Sequence, residues 1–253
     1  MIDTHCHLYV DEFKADISEV MERALAAGVE SFYLPAIDSS EHVNMILLQE
    51  RYPAICKAMM GLHPCSVKAD YMEELKVVEE WLSKRRFAAI GEIGLDFYWD
   101  TSFTNQQYKA FRMQIELALQ YKLPIVIHTR NAMKQTIEVV EEYMPKGVRG
   151  IFHCFGGSID EAKRIIDAGF YLGIGGVVTY KNAGLAQVLE NIDLKFMVLE
   201  TDAPYLTPVP YRGKRNESSY LKYIIEKLAQ VKNVSVADVE AATTANAKKI
   251  FAY

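Results

Sequence analysis

Short apolar runs rich in β-branched and aromatic residues alternate along the chain with longer stretches whose apolar positions recur roughly every three or four residues. The strand candidates are IDTHCHL, ESFYLPAI, ICKAMMGLH, FAAIGEIGLD, PIVIHTR, GIFHCF, FYLGIGGVV and KFMVLETDA. Helical patterns lie between them: DISEVMERALAAG with Gly28 as its stop, YMEELKVVEEWLSKR, TNQQYKAFRMQIELALQYK ending before Pro124, AMKQTIEVVEEYM and SIDEAKRIIDAG. SSYLKYIIEKLAQVK and VADVEAATTANAKKIF follow the last strand. Strand then helix, eight times in 253 residues, predicts one α/β domain over residues 1–253 built as a (β/α)8 TIM barrel. An open doubly wound sheet shares the alternation, but no G-x-G-x-x-G follows the first strand, so no dinucleotide cofactor is expected.

In a barrel the C-terminal ends of the strands build the active site. His5 and His7 end the first candidate strand, His63 the third, His128 the fifth, His153 the sixth and Asp202 the eighth, while Glu92 sits late in the fourth. Five of six histidines therefore gather at one rim; His42, in the helical pattern SSEHVNMILLQE, is the exception and reads as solvated or packed. If residues 1–9 form a strand, Asp3, His5 and His7 share one face, with Ile2, Thr4, Cys6 and Leu8 on the other. H-x-H alone fits an edge strand facing water as well as a metal site. The clustering favours the site.

Four imidazoles (His5, His7, His128, His153) and two carboxylates (Glu92, Asp202) form a nitrogen and oxygen set suited to divalent first-row cations. Six ligands exceed the needs of one open catalytic ion and fit two ions sharing a carboxylate. Glu92 is the expected bridge, with Gly94 leaving room beside it; a buried salt-bridge partner is the plainer reading of Glu92.

Composition narrows the setting. Half the chain is apolar, enough for a large core, and no run approaches the ~20 apolar residues of a membrane span. Cys6, Cys56, Cys65 and Cys154 form no C-x-x-C, and Asp3 and His5 stand where a secretory signal would be basic then apolar. The expectation is a cytoplasmic protein with reduced thiols and no obligate protein partner. A net charge of −5 argues against a broad nucleic-acid-binding surface but permits a local basic site.

The motifs THCHL, GLHP, GEIGLDFY, IHTR, FHCFGG, LETDAPYL, YRGKRN and TTANAKKIF, in this order from end to end, resemble the TatD family of metal-dependent deoxyribonucleases within the amidohydrolase superfamily. The resemblance implies that His5, His7, Glu92 and Asp202 hold one divalent cation and Glu92, His128 and His153 another, the metal being Mg, Mn or Zn. It implies DNA as substrate and cleavage of phosphodiester bonds by a metal-activated hydroxide, as a 3'-5' exonuclease, with Asp202 as the catalytic proton acceptor. Two alternatives stay open: hydrolysis of a cyclic amide, lactone or aminoacyl ester, and a non-enzymatic nucleic-acid-binding barrel with structural metals.

Several neighbours carry dual readings. Asp96 either orients a histidine or caps the loop after it, and Glu200, buried two residues before Asp202, calls for a histidine N–H or a basic partner. His63 is either a phosphate contact or an ordinary loop residue. Arg130, Arg212, Lys214 and Arg215 offer positive charge to an anionic substrate, the last three alternatively forming a plain basic surface loop. Tyr98 and Trp99 follow the fourth strand, where either stacks on a base or packs in its loop.

Overall fold

Hydrogen-bonded ladders join eight parallel strands in two arcs, β1 to β3 and β4 to β8. The computed structural model describes residues 1–252. In chain order the elements are β1 (Ile2–Asp3), α1 (Ile17–Ala26), β2 (Ser31–Leu34), α2 (His42–Arg51), β3 (Cys56–Ala58), α3 (Tyr71–Lys84), β4 (Ile90–Asp96), α4 (Thr104–Tyr121) and β5 (Ile125–Arg130). There follow α5 (Met133–Tyr143), β6 (Gly150–Phe152), α6 (Ile159–Asp167), β7 (Phe170–Ile174), α7 (Leu185–Glu190), β8 (Met197–Leu199), α8 (Leu221–Lys232) and α9 (Val236–Ile250).

Main-chain bonds close both gaps between the arcs. Met60 pairs with Ile90, Gly91 N–H donating to Met60 O at 3.0 Å. At the other seam the N–H and hydroxyl of Thr4 both donate to Leu199 O at 3.0 Å. The sheet is a closed (β/α)8 TIM barrel of the amidohydrolase type, not an open doubly wound sheet. No helix among the described residues is long and apolar enough to cross a membrane.

The alternation of side chains along each strand sorts the core into two layers. Ile125, Ile127, Phe152, Leu172, Met197 and Leu199 face outward and pack with Phe111, Ile115, Ile137 and Ile165 of the helices. The opposite parity gives a separate interior cluster: Ile2, Tyr33, Met59, Ala89, Val126, Ile151 and Val198. Ile250 and Phe251 at the end of α9 close this plug, the Phe251 ring stacked on Tyr33 at 3.8 Å. Two residues further along the inward faces, Val126 gives way to His128, Ile151 to His153 and Val198 to Glu200. The polar residues thus rest directly on an apolar floor.

The strands are shorter than their apolar runs. β1 ends at Asp3, so the shared face expected for Asp3, His5 and His7 does not exist: Ile2 enters the interior plug, and the backbone beyond it is irregular. That backbone is pinned by Cys6 N–H to Tyr33 O at 3.0 Å and His7 N–H to Ala203 O at 2.7 Å, which turn both imidazoles inward. His63, His153 and Asp202 likewise lie beyond β3, β6 and β8, whereas Glu92 is mid-strand in β4. Helix α7 belongs to the segment between β7 and β8, whose six-residue length leaves too few turns for a clear apolar stripe.

In β4, Ile90, Ile93 and Leu95 all join the outer layer, which strict alternation forbids. The register with β5 slips between Gly91 and Ile93, so Glu92 sits in a bulge that re-aims it inward. Gly94 does not make room for ions. Its φ is +146°, and a Cβ there would lie 2.0 Å from His128 O, so glycine is what lets β4 and β5 approach. Gly94→Ala should therefore cost about 2–4 kcal/mol through strain and steric overlap. A melting curve should show Tm falling by roughly 5–15 °C; an unchanged Tm would contradict this packing.

Candidate functional site

Glu92 is the hub. Its Oε2 lies 3.1 Å from His5 Nε2 and 3.4 Å from His7 Nε2. Its Oε1 lies 2.8 Å from His128 Nδ1, 2.9 Å from His153 Nε2 and 3.3 Å from His63 Nε2. Asp202 Oδ1 stands 3.7 Å from both His5 Nε2 and His7 Nε2. The six residues proposed from the sequence as ligands meet in one place, and His63, expected near substrate, joins them at the hub. His42 is elsewhere, buried with Nε2 against Gly61 O at 3.3 Å.

Each ring is set by a further partner. Tyr9 hydroxyl donates to Pro35 O, so His7 Nδ1 must donate to the Tyr9 oxygen, at 3.0 Å; this turns His7 Nε2 toward Glu92 and Asp202. Asp96 meets His128 Nε2 at 2.9 Å through Oδ2 and accepts the N–H groups of Tyr98 and Trp99 through Oδ1, so it both orients a histidine and caps the loop. Glu200 Oε1 accepts the Cys154 N–H and lies 3.4 Å from His153 Nδ1, the other oxygen filling the space where a Gly173 Cβ would sit.

Two positioning residues lacked an obvious sequence signal. Asn216, last in YRGKRN, donates to Thr201 O at 2.7 Å and Tyr205 O at 2.6 Å, bracing the loop that carries Asp202 at φ +57°. Asp3 is buried and accepts from Thr201 N, Thr201 Oγ1 and Ser218 Oγ; burial raises its carboxyl to about 6.

The basic residues divide. Arg215 grips Asp16 with both terminal nitrogens, at 2.8 and 2.7 Å, and donates to Glu12 O, so it ties the loop to the start of α1 and is not available to substrate. Arg212 stacks on Tyr180 at 3.9 Å and Lys214 lies over Tyr211 at 5.6 Å, both exposed. None of these three lines the cavity above Glu92, a space of about 830 Å³ walled by His7, His63, Trp99, Arg130, Cys154 and Tyr205 among others. Arg130 does line it. Tyr98 does not, because its ring face is covered by the Arg130 guanidinium at 3.7 Å.

Electrostatics follow from burial around one carboxylate. Burial opposes charge on Glu92, but the charges on His153 and His63 and the hydrogen bond from His128 outweigh it and hold its carboxyl well below the usual range. Burial likewise opposes charge on His153, yet Glu92 and Glu200 push its pKa well above the ordinary value. His128 and His63 are raised in the same way, His128 by Asp96 and Glu92 and His63 mainly by Glu92. His5 is the opposite case: burial and neighbouring His153 drive it well below, so it is neutral. Burial raises Asp202 to about 6.

A family profile described as TatD related DNase matches residues 2–252. The chain belongs to this family. The metal-dependent hydrolase YabD of Bacillus subtilis is 39% identical over 252 residues, 99% of this chain and 98% of the relative. YcfH of Escherichia coli, also described as a metal-dependent hydrolase, is 29% identical over 256 residues, covering 99% of this chain and 95% of the relative. The crystal structure of YJJV, a TatD homologue from Escherichia coli, superposes with a TM-score of 0.94 at 27% identity, covering 100% of this chain and 98% of that one. The chain is a metal-dependent hydrolase of the TatD family.

The hub fits that chemistry. Three groups of donor atoms, His5–His7–Glu92, His5–His153–Asp202 and His63–Glu92–His128, each lie within 4.8 Å of one another. Nδ1 of His5, Nδ1 of His153 and Oε2 of Glu200 are buried without a hydrogen-bond partner, so protein groups alone do not satisfy the polar atoms around the hub. Both ring nitrogens of His128 face carboxylates, as do those of His153, so protons supply the positive charge that Glu92 requires.

Raised histidines stabilise the metal-free fold below their unfolded value, and that contribution is lost as pH rises through the folded values. A cation must displace these protons. Metal affinity should therefore rise with pH, with net proton release at neutral pH. Calorimetric titration in buffers of differing ionisation enthalpy should show heats that vary with the buffer; identical heats would contradict protonated His128 and His153.

Proposed function

We propose that this TatD-family hydrolase is a deoxyribonuclease that degrades DNA from strand ends as a 3'-5' exonuclease, using two divalent cations in a single cytoplasmic barrel domain. The observation that carries the reading is Arg130. Its guanidinium lines the cavity whose floor is the Glu92 hub, and among the described residues no carboxylate lies within ion-pairing distance of it. An unneutralised cation beside a site for divalent ions favours a phosphodiester over a neutral amide or ester. The cavity ends on the hub, and the apolar plug fills the barrel interior beneath, so the cavity suits a strand end better than a continuous duplex. The reading also draws on the family description.

His5, His7, Glu92 and Asp202 would hold one cation, and Glu92, His128 and His153 the other, as the family resemblance implies and their distances to Glu92 allow, with His63 beside the second set at 3.3 Å from Glu92. Bound there, the cations would polarise the phosphoryl group and acidify the attacking water. Asp202 would accept a proton from the attacking water on a carboxylate oxygen. Arg130 neutralises a non-bridging phosphate oxygen. Tyr9, Asp96 and Glu200 keep His7, His128 and His153 aimed at the centre.

An end-labelled single strand, incubated with magnesium, manganese or zinc, should yield mononucleotides first, and a 3' label should be released before a 5' label. Mid-length fragments appearing first, or no cleavage with any ion, would overturn the reading. Asp202→Asn should lower kcat by ~10²-fold or more. Arg130→Ala should raise KM and reduce the salt slope of single-strand binding by about 0.7 per lost phosphate contact, whereas Arg215→Ala should leave that slope unchanged and lower Tm.

A further inference from the structure

We infer that Trp99 is the nucleobase platform of this site, stacking the base that adjoins the phosphodiester held at the Glu92 hub; the inference rests on the nucleic-acid reading above and extends it to a residue that reading does not use. Trp99 is 68% exposed, the most exposed large apolar side chain among the described residues, yet it lines the cavity and is not a loose surface group. An indole left in water at a cavity wall has a face available for an aromatic ligand.

Three contacts show that this indole is held. Asp96 Oδ1 accepts its backbone N–H at 3.1 Å and that of Tyr98 at 2.9 Å. The Tyr98 ring and the indole stand perpendicular, at 87°, with centroids 4.8 Å apart. The Arg130 guanidinium lies 3.7 Å from the Tyr98 centroid and 5.2 Å from that of Trp99. The arrangement spends the face of Tyr98 on Arg130 and leaves the indole beside it exposed.

Asp96 also sets the distance between platform and floor. Its other oxygen meets His128 Nε2 at 2.9 Å, so one buried carboxylate fixes both a ring of the hub and the loop bearing Trp99. Arg130 adds charge between them. A nucleotide has the matching order of parts: phosphate against the hub and Arg130, base against the indole. Base–aromatic stacking tolerates every base, so the contact predicts preference for a base over none rather than sequence specificity.

Two arms test this. In the first, short single strands with and without a base at the terminal nucleotide (a tetrahydrofuran abasic residue) are compared as substrates. The native enzyme should show a KM lower by roughly 5- to 150-fold for the strand that carries the base, the range of one stack. Trp99→Ala should lose that discrimination, and Trp99→Phe should retain part of it. In the second arm, the fluorescence of Trp81→Phe protein, in which Trp99 is the remaining tryptophan, is titrated with an oligothymidylate without turnover. Quenching by this strand and not by an all-abasic strand supports the platform. Discrimination preserved in Trp99→Ala, or no quenching by the oligothymidylate, overturns it. Because the second arm needs no hydrolysis, absence of nuclease activity with quenching intact would count against the exonuclease reading and not against the stack.

Discussion

A carboxylate at the centre of a closed barrel, 2% exposed, needs positive charge around it or it cannot stay ionised. Glu92 is that group, and the architecture near it answers the need. The bulge in β4 aims it inward, the apolar plug below denies it water, and imidazoles from separate segments converge on its two oxygens. Protons on the histidines compensate it, and cations bound at the same atoms, as proposed for this metal-dependent hydrolase, would take their place. The two states exchange like charge for like, so the surrounding packing serves both.

That exchange explains why the partners of the histidines matter as much as the histidines. A ring free to turn would pair with Glu92 through either nitrogen. Tyr9 settles the matter for His7, because its own hydrogen is committed to Pro35 O. Asp96 and Glu200 do so for His128 and His153 with negative charge, which favours the protonated rings when metal is absent and makes them stronger donors when it is bound. Asp202 stands apart: burial raises its carboxyl to about 6, where the histidines hold that of Glu92 well below the usual range.

Much of this was legible in the sequence because a barrel strand advances its inward face by two residues at a time. Val126 to His128, Ile151 to His153 and Val198 to Glu200 keep that spacing, so apolar runs ending in a histidine or acid pointed to one rim. The failures have local causes. Ile2 to Leu8 alternates like a strand, yet only Ile2–Asp3 pairs with β2, and tertiary hydrogen bonds rather than alternation orient His5 and His7. The bulge at Glu92 and the collision beside Gly94 are properties of the β4–β5 pairing, invisible in one strand's composition. Arg215 resembled a substrate contact because Asp16, its partner, is 199 residues away. His63 left two readings open, phosphate contact or loop residue, because it lies beyond the end of β3 at Ala58, and only the fold brings its ring to Glu92.

The central claim is that Glu92 is shared, so the metal content of Glu92→Gln tests it most directly. Glutamine keeps the shape and removes the charge. Elemental analysis after saturation and desalting should find about two divalent ions per native chain and a loss at both positions in the variant, with circular dichroism showing the barrel intact. Full metal retention in Glu92→Gln would contradict the account, because the charge that organises the site would then lie elsewhere.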